Sequence, residues 1–301
     1  MIRILALLCV IGAAQCGVFD FLKRKPACLV RFDLNIVNKG KSAYMEMPLT
    51  ATEASSKDWQ VKTRPGRSEY SSLTLMCKKD NYHFCAFYDD TGYIAGYTIN
   101  FVKDKLEPYF DPITQGFSLW STELNGETVE LYSIANYFVS PEYLNKDAET
   151  RVSTRNKDSL LQDTDVYLDS FNGELLNVST TTSYYTNGDN VYTKQACIPF
   201  MGHHYYYKMN KDTECTATTI SSWFPLVWQN QMIGMGFMGI AKYTLDSGVT
   251  NMFENPDQDN VKLIVNNGPQ CLYDLAGSPG AVTMHVYFID DPQTILCVLE
   301  G

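Results

Sequence analysis

Apolar residues recur at every second position over short stretches of this chain, and helical spacing is rare. Residues 28–37 read Cys-Leu-Val-Arg-Phe-Asp-Leu-Asn-Ile-Val, which sets Val30, Phe32, Leu34 and Ile36 on one face of a strand. Val129, Leu131, Ser133 and Ala135 alternate with Glu130, Tyr132, Ile134 and Asn136, the pattern of a strand with one partly wet face. Further strands are predicted over 166–168, 175–185, 261–265 and 282–289, which are rich in β-branched and aromatic residues that fit a pleated surface. Asn125-Gly126, Asn172-Gly173, Asn187-Gly188 and Asn267-Gly268 are hairpin-type dipeptides. Helix is predicted only from Pro141 to Arg151, where proline suits a first turn, and from Ala54 to Asp58.

The chain also resembles itself. Phe87-Tyr88-Asp89-Asp90-Thr91-Gly92-Tyr93-Ile94-Ala95-Gly96-Tyr97 aligns with Val227-Trp228-Gln229-Asn230-Gln231-Met232-Ile233-Gly234-Met235-Gly236-Phe237: an aromatic closes an apolar run, a polar turn follows, and a glycine precedes an aromatic. Four more anchors keep the same order: Tyr109 to Pro112 with Phe253 to Pro256, Gly66 to Tyr70 with Gly202 to Tyr206, Cys77 with Cys215, and Tyr137 to Pro141 with Tyr287 to Pro292. A shift kept across five ordered anchors points to a tandem duplication. The predicted fold is therefore mainly β: two tandem, internally duplicated antiparallel β-rich domains, sandwich- or barrel-like, with few short helices and disulfide staples. The break is placed in the charged stretch between Glu142 and Ser159, giving domains 17–150 and 151–301.

Composition narrows the setting. A net charge of -10 lacks the cationic stripe that nucleic acid demands. Arg3 ahead of an apolar run from Ile4 to Ala14, with small residues at Ala14 and Cys16, has the form of a signal peptide over 1–16, too short for a membrane span. Secretion follows as the expected localisation, and nothing later is long and apolar enough to span a bilayer. Lys23-Arg24-Lys25 reads as a solvated arm near the mature start. Beyond the leader stand Cys28, Cys77, Cys85, Cys197, Cys215, Cys271 and Cys297, which in an oxidising compartment read as disulfides. No C-x-x-C occurs. Cys77–Cys85, Cys197–Cys215 and Cys271–Cys297 are the expected pairs, although spacing alone does not fix connectivity. The sequon Asn177-Val178-Ser179 marks Asn177 as a glycosylation candidate.

No nucleophile elbow, H-E-x-x-H, phosphate loop or dinucleotide fingerprint is present. His203 and His204, beside Tyr205-Tyr206-Tyr207, are the most conspicuous candidate group, and His285 lies on another predicted strand. Neighbours on a strand face opposite ways, so only one of His203 and His204 can face a given site. Arg67, Ser68 and Ala135 take the matching places in the first half, which confines such chemistry to the second. Trp228, Met232, Met235 and Phe237 lie in the densest apolar stretch and could line a cavity for an apolar ligand. Asp163, Asp165 and Asp169, Asp257 and Asp259, and Asp89-Asp90 are the places calcium could take, without EF-hand spacing; no other cofactor or metal is expected. The leading expectation is a secreted, non-enzymatic binding or extracellular-matrix-type protein, with an extracellular protein, glycan or matrix component as partner. The alternatives are a carrier of a lipid or pigment in a β-walled cavity, and a secreted hydrolase or metal enzyme using His203, His204 and His285.

Overall fold

The computed structural model describes residues 25–32, 41–63, 66–124, 126–181 and 191–297. The expected signal peptide 1–16, Leu34, Ile36 and Asn187-Gly188 lie outside them.

Two antiparallel sheets carry the fold. The first runs β3 (Trp59–Lys62), β4 (Thr74–Lys78), β5 (Asn81–Tyr88), β6 (Ile94–Val102), β9 (Glu127–Tyr137), β10 (Asp165–Asp169) and β11 (Leu175–Ser179), with β8 (Ser118–Leu124) paired to the free half of β9. The second runs β12 (Tyr192–Ile198), β13 (Gly202–Tyr207), β14 (Trp223–Trp228), β15 (Gln231–Tyr243), β16 (Ala281–Ile289), β1 (Pro26–Arg31) and β2 (Tyr44–Glu46), with β7 (Leu106–Pro108) on the end of β15. Chain order and sheet order part company at one place. The first of the described strands, β1, inserts between the last of them, β16, and its own hairpin mate β2, with Arg31 opposite both His285 and Tyr44. The predicted break at 150/151 falls inside helix α3 (Ala148–Thr154), and strands from either side of it are found in both sheets.

The alternating sequence explains the layering. One face of each sheet meets the other in a shared core, where Tyr97 contacts Trp223, Phe101 contacts Phe237 and Phe138 contacts Phe288, with ring centroids 6.2, 5.6 and 5.2 Å apart. The outer face of the first sheet is closed by Tyr70, Leu73 and Tyr143, the last on α2 (Pro141–Leu144). That of the second lies under α4 (Gln258–Ile264) and α5 (Gln270–Leu275), which contribute Val261, Leu272 and Leu275. With both faces covered, β5, β6, β14 and β16 are apolar nearly throughout rather than strictly alternating. No helix among the described residues is long and apolar enough to cross a membrane.

Several expectations are corrected. Residues 261–265 are not a strand: the side chain of Asp257 accepts a hydrogen bond from the Asn260 N–H and starts α4 through them. Asn267-Gly268 accordingly joins two helices instead of closing a hairpin. The helix expected from Pro141 to Arg151 is two, because Asp147 caps a second start at Ala148. The helix expected at Ala54 begins earlier, as α1 (Ala51–Ser56), under a Thr50 cap. At Asn172-Gly173 the expected hairpin is present, with φ of 55° and 75°.

All six candidate cysteines are in disulfides. Cys77–Cys85 forms as expected across β4 and β5. In the second half the expected pairs are exchanged: Cys197 bonds Cys297 and Cys215 bonds Cys271, at Cα separations of 5.7 and 6.1 Å. The reason is that α5 packs beside the loop after β13, while the C-terminal segment returns to β12. Cys28 is the free cysteine among the described residues, and burial pushes its thiol far up.

Candidate functional site

His204 and His285 meet on the outer face of the second sheet although β14 and β15 lie between their strands. Gly236 makes this possible. It faces Phe224 on one side and His285 on the other, and a Cβ there would come within 1.9 Å of the Phe224 ring. The Phe224 ring fills that space, stacking on His204 at 5.5 Å and meeting His285 edge-on at 5.4 Å. The two imidazoles close over it, Nε2 to Nε2 at 3.4 Å. His203 points the other way, half-buried, its Nδ1 3.4 Å from the Gln195 carbonyl. Of the three predicted histidines, then, the fold unites two and separates the third.

From His285 the polar chain continues inward. Its Nδ1 lies 2.6 Å from Oε2 of Glu254, a residue fixed beside β16 by two backbone hydrogen bonds with Thr283. Oε1 of Glu254 lies 3.4 Å from Nε of Arg31 on β1. Arg31 donates from Nη1 to the Tyr44 hydroxyl at 3.1 Å, and Tyr44 donates to the Phe200 carbonyl at 3.1 Å. Arg31 and His204 are fully buried, and Glu254 and His285 are each 2% exposed.

Burial sets the proton affinities. It drives His204 well below the usual histidine range, with the neighbouring His285 acting in the same direction. It drives the Tyr287 phenol well up, and the Tyr44 phenol up against the pull of Arg31. Burial disfavours the Arg31 charge, but Tyr287, Tyr44 and Glu254 around it more than restore it. Chemically the arrangement is a carboxylate–imidazole pair whose outer nitrogen faces a second imidazole, where a hydrolase would hold a nucleophile. Above the two rings a narrow apolar cleft runs under α4, lined by Tyr206, Met238, Val261 and Val265.

The remaining candidates disperse. Met232, Met235 and Phe237 belong to the core between the sheets, whereas Trp228 packs on the opposite face with α4 and α5. Among the predicted calcium residues, Asp169 pairs with Arg67, Asp89 and Asp90 with Arg151, Asp165 with Asn177, and Asp257 caps α4. No group of three or more His, Cys, Asp or Glu side chains among the described residues is placed to hold one ion. Asn177 is exposed on the edge strand β11. Arg31, Tyr44 and Glu254 escaped the sequence reading. The available signal was Arg31 itself, a lone cation in an apolar run.

A third buried histidine stands on the first sheet. His83 of β5 is 2.9 Å from the Tyr243 hydroxyl, edge-on to Tyr243 and Phe253, and burial lowers it to about 4.

No protein family, characterised protein or solved structure matches this chain.

Proposed function

We propose that this is a secreted, non-enzymatic binding or matrix-type protein built from two copies of one β module, kept for shape and stability. Three features support the duplication. The sheet orders correspond strand for strand, β3-β4-β5-β6-β9-β10-β11 with β12-β13-β14-β15-β16-β1-β2. Pairing sets Leu75, Phe87, Gly96, Tyr137 and Tyr167 in one row and His204, Leu226, Gly234, Tyr287 and Leu29 in the corresponding row. A register shift falls one residue past the same row in each sheet, between Phe87 and Tyr88 and between Leu226 and Val227. On this reading each module starts with a hairpin, β1–β2 or β10–β11, that is laid on the other module's sheet. In this register the counterparts of His204, Gly96 and His285 are Leu75, Gly234 and Ala135, so Ser68 and Gly236, which the sequence alignment matched to His204 and Gly96, are not their counterparts, and the polar chain belongs to one module alone.

The observation that carries the non-enzymatic reading is the sealing of that chain. Arg31, Glu254, His204 and His285 are at most 2% exposed and turn towards one another, and the half-buried Tyr44 is the chain's outer end. Secretion is supported by three disulfides, a feature of oxidising compartments. The test is turnover: purified protein is offered ester, glycoside and peptide substrates beside a His204→Ala variant. Parent and variant are expected to match buffer, and turnover lost in the variant would refute the proposal.

A second reading is a carrier of a small apolar ligand, for which the cleft under α4, with room for about one water molecule, would have to widen. Native mass spectrometry of secreted protein tests it: a bound lipid or pigment displaced in Val261→Trp supports carriage, and bare protein that takes up no apolar fluorophore removes it.

A further inference from the structure

We propose that His204, His285 and Met238 form a closed site for a soft monovalent metal ion, Cu(I). The anionic carboxylate of Glu254, 2.6 Å from His285 Nδ1 but off the line of a hydrogen bond, favours the ring proton on that nitrogen and a lone pair on Nε2. That lone pair faces His204 Nε2 at 3.4 Å. Two imidazole nitrogens sharing one ion at about 2.0 Å each, with an angle between tetrahedral and trigonal, stand roughly 3.3–3.5 Å apart. The distance fits two ligands on one ion, and without an ion it is spanned by a long N–H···N hydrogen bond between the rings. Glu254 behind His285 is the arrangement that orients metal-bound imidazoles and makes them stronger donors.

Met238 is the third donor that the proposal assigns, on its position in the cleft. It lies two residues beyond Gly236 on β15, opposite Thr283, and lines the same cleft as both imidazoles. Two imidazoles and a thioether suit a soft ion, and the hydroxyls of Tyr206 and Thr283 that also line the cleft, with no carboxylate among its lining residues, are a poor set for Ca(II) or Mg(II). Charge selects further. Arg31 and Glu254 cancel, so a monovalent ion adds one charge to an apolar, water-poor chamber and a divalent ion adds two. A site of this kind would store or transport copper without turnover, which leaves the non-enzymatic reading intact.

The experiment uses the full-length disulfide-bonded protein and Cu(I) held reduced by ascorbate. After desalting, copper per chain is measured by plasma mass spectrometry, and affinity by competition with bicinchoninate. One copper per folded chain is expected, with retention reduced at least tenfold in Met238→Leu and at least a hundredfold in His285→Gln, and unchanged in Cys28→Ala. Met238→Leu conserves volume and keeps the fold, so the outcome does not depend on the histidine variant folding. Parent protein that retains no copper overturns the proposal, as does retention that is unchanged in Met238→Leu or abolished in Cys28→Ala. Retention of Zn(II) at equal strength overturns the assignment to a monovalent ion.

Discussion

Replacing Glu254 with leucine tests whether the buried polar chain ties β1 to the second sheet. The carboxylate lies 3.4 Å from the Arg31 guanidinium. At an effective dielectric constant of about 20, a separation of that size corresponds to about 5 kcal/mol of attraction. Most of that offsets the cost of taking two charges out of water, so the intact pair contributes little net stability. Removing one partner is different, because Arg31 stays fully buried with its charge and the Glu254 share of its compensation is gone. The expected loss is about 3–5 kcal/mol, a large share of the ~5–15 kcal/mol that holds a typical domain together. In thermal terms it is a fall in Tm on the order of 10 °C.

The decisive comparison is a double-mutant cycle with Arg31→Met. The doubly substituted protein no longer buries an uncompensated charge, and the groups that lose a polar partner are His285 and the half-buried Tyr44 hydroxyl, at about 1–3 kcal/mol each. It is therefore expected to be more stable than either single variant, with a coupling energy of about 3 kcal/mol between the sites. Urea unfolding at neutral pH with the disulfides intact, followed by tryptophan fluorescence and circular dichroism, measures all four corners. Glu254→Leu within about 1 kcal/mol of the parent, or additive effects in the cycle, would show that the chain contributes nothing to holding β1 in place and would refute the reasoning.

Other outcomes follow from the same contacts. His83 falls from 6.5 to about 4 in the folded protein. Between those values the unfolded chain binds the proton that the folded chain refuses, so stability present above pH 6.5 drains away on acidification, by about 3 kcal/mol at pH 4. His204 is lowered in the same direction and adds to the loss; equal urea midpoints at pH 7.5 and 4.5 would contradict both assignments. Gly236→Ala drives a methyl into the Phe224 ring and is expected to cost about 1–3 kcal/mol, with most of it recovered when Phe224→Leu is added. Removing Cys197–Cys297, which spans 100 residues, is expected to cost about 5 kcal/mol against about 2.5 kcal/mol for Cys77–Cys85, which spans 8; thermal denaturation of the paired serine variants measures the difference.

What the sequence could reveal was set by the range of the forces involved. Strand β9 was readable because its alternation is a local response to a sheet with one wetter face over the Glu127 half. The Asn172-Gly173 turn was readable because two successive positive φ angles leave few other residues to choose from. The stretch Val261-Lys262-Leu263-Ile264-Val265 was not, since a short apolar run suits a buried strand as well as a helix. Its outcome turns on one cap, Asp257, and on the open face of the second sheet that α4 covers. The second-half disulfides were hidden for a related reason: their partners are set by which loop α5 packs against, which spacing does not encode.

The pairing of β1 with β16 joins the two ends of the chain, and no local pattern announces such a contact. Its consequence reached the site itself. Arg31 alternates out of the apolar face Val30 begins, and read alone it belongs on a solvated face. Insertion of β1 between β16 and β2 puts that second face under cover as well, where the cation is tolerable only because Glu254, Tyr44 and Tyr287 surround it. His204 and His285 were found in the sequence by their chemistry, but the groups that define their protonation were not, because those come from opposite ends of the chain. If the hairpins were exchanged between two copies of one module, the polar chain fastens that exchange at Arg31. The corresponding place in the other sheet is Asp169, opposite in charge, paired with Arg67 and accepting the Ala135 N–H. An ion pair at the same station in both sheets, fully buried at Arg31–Glu254, partly exposed at Arg67–Asp169 and with the charges reversed, fits a device that holds each hairpin in register and discriminates one sheet from the other.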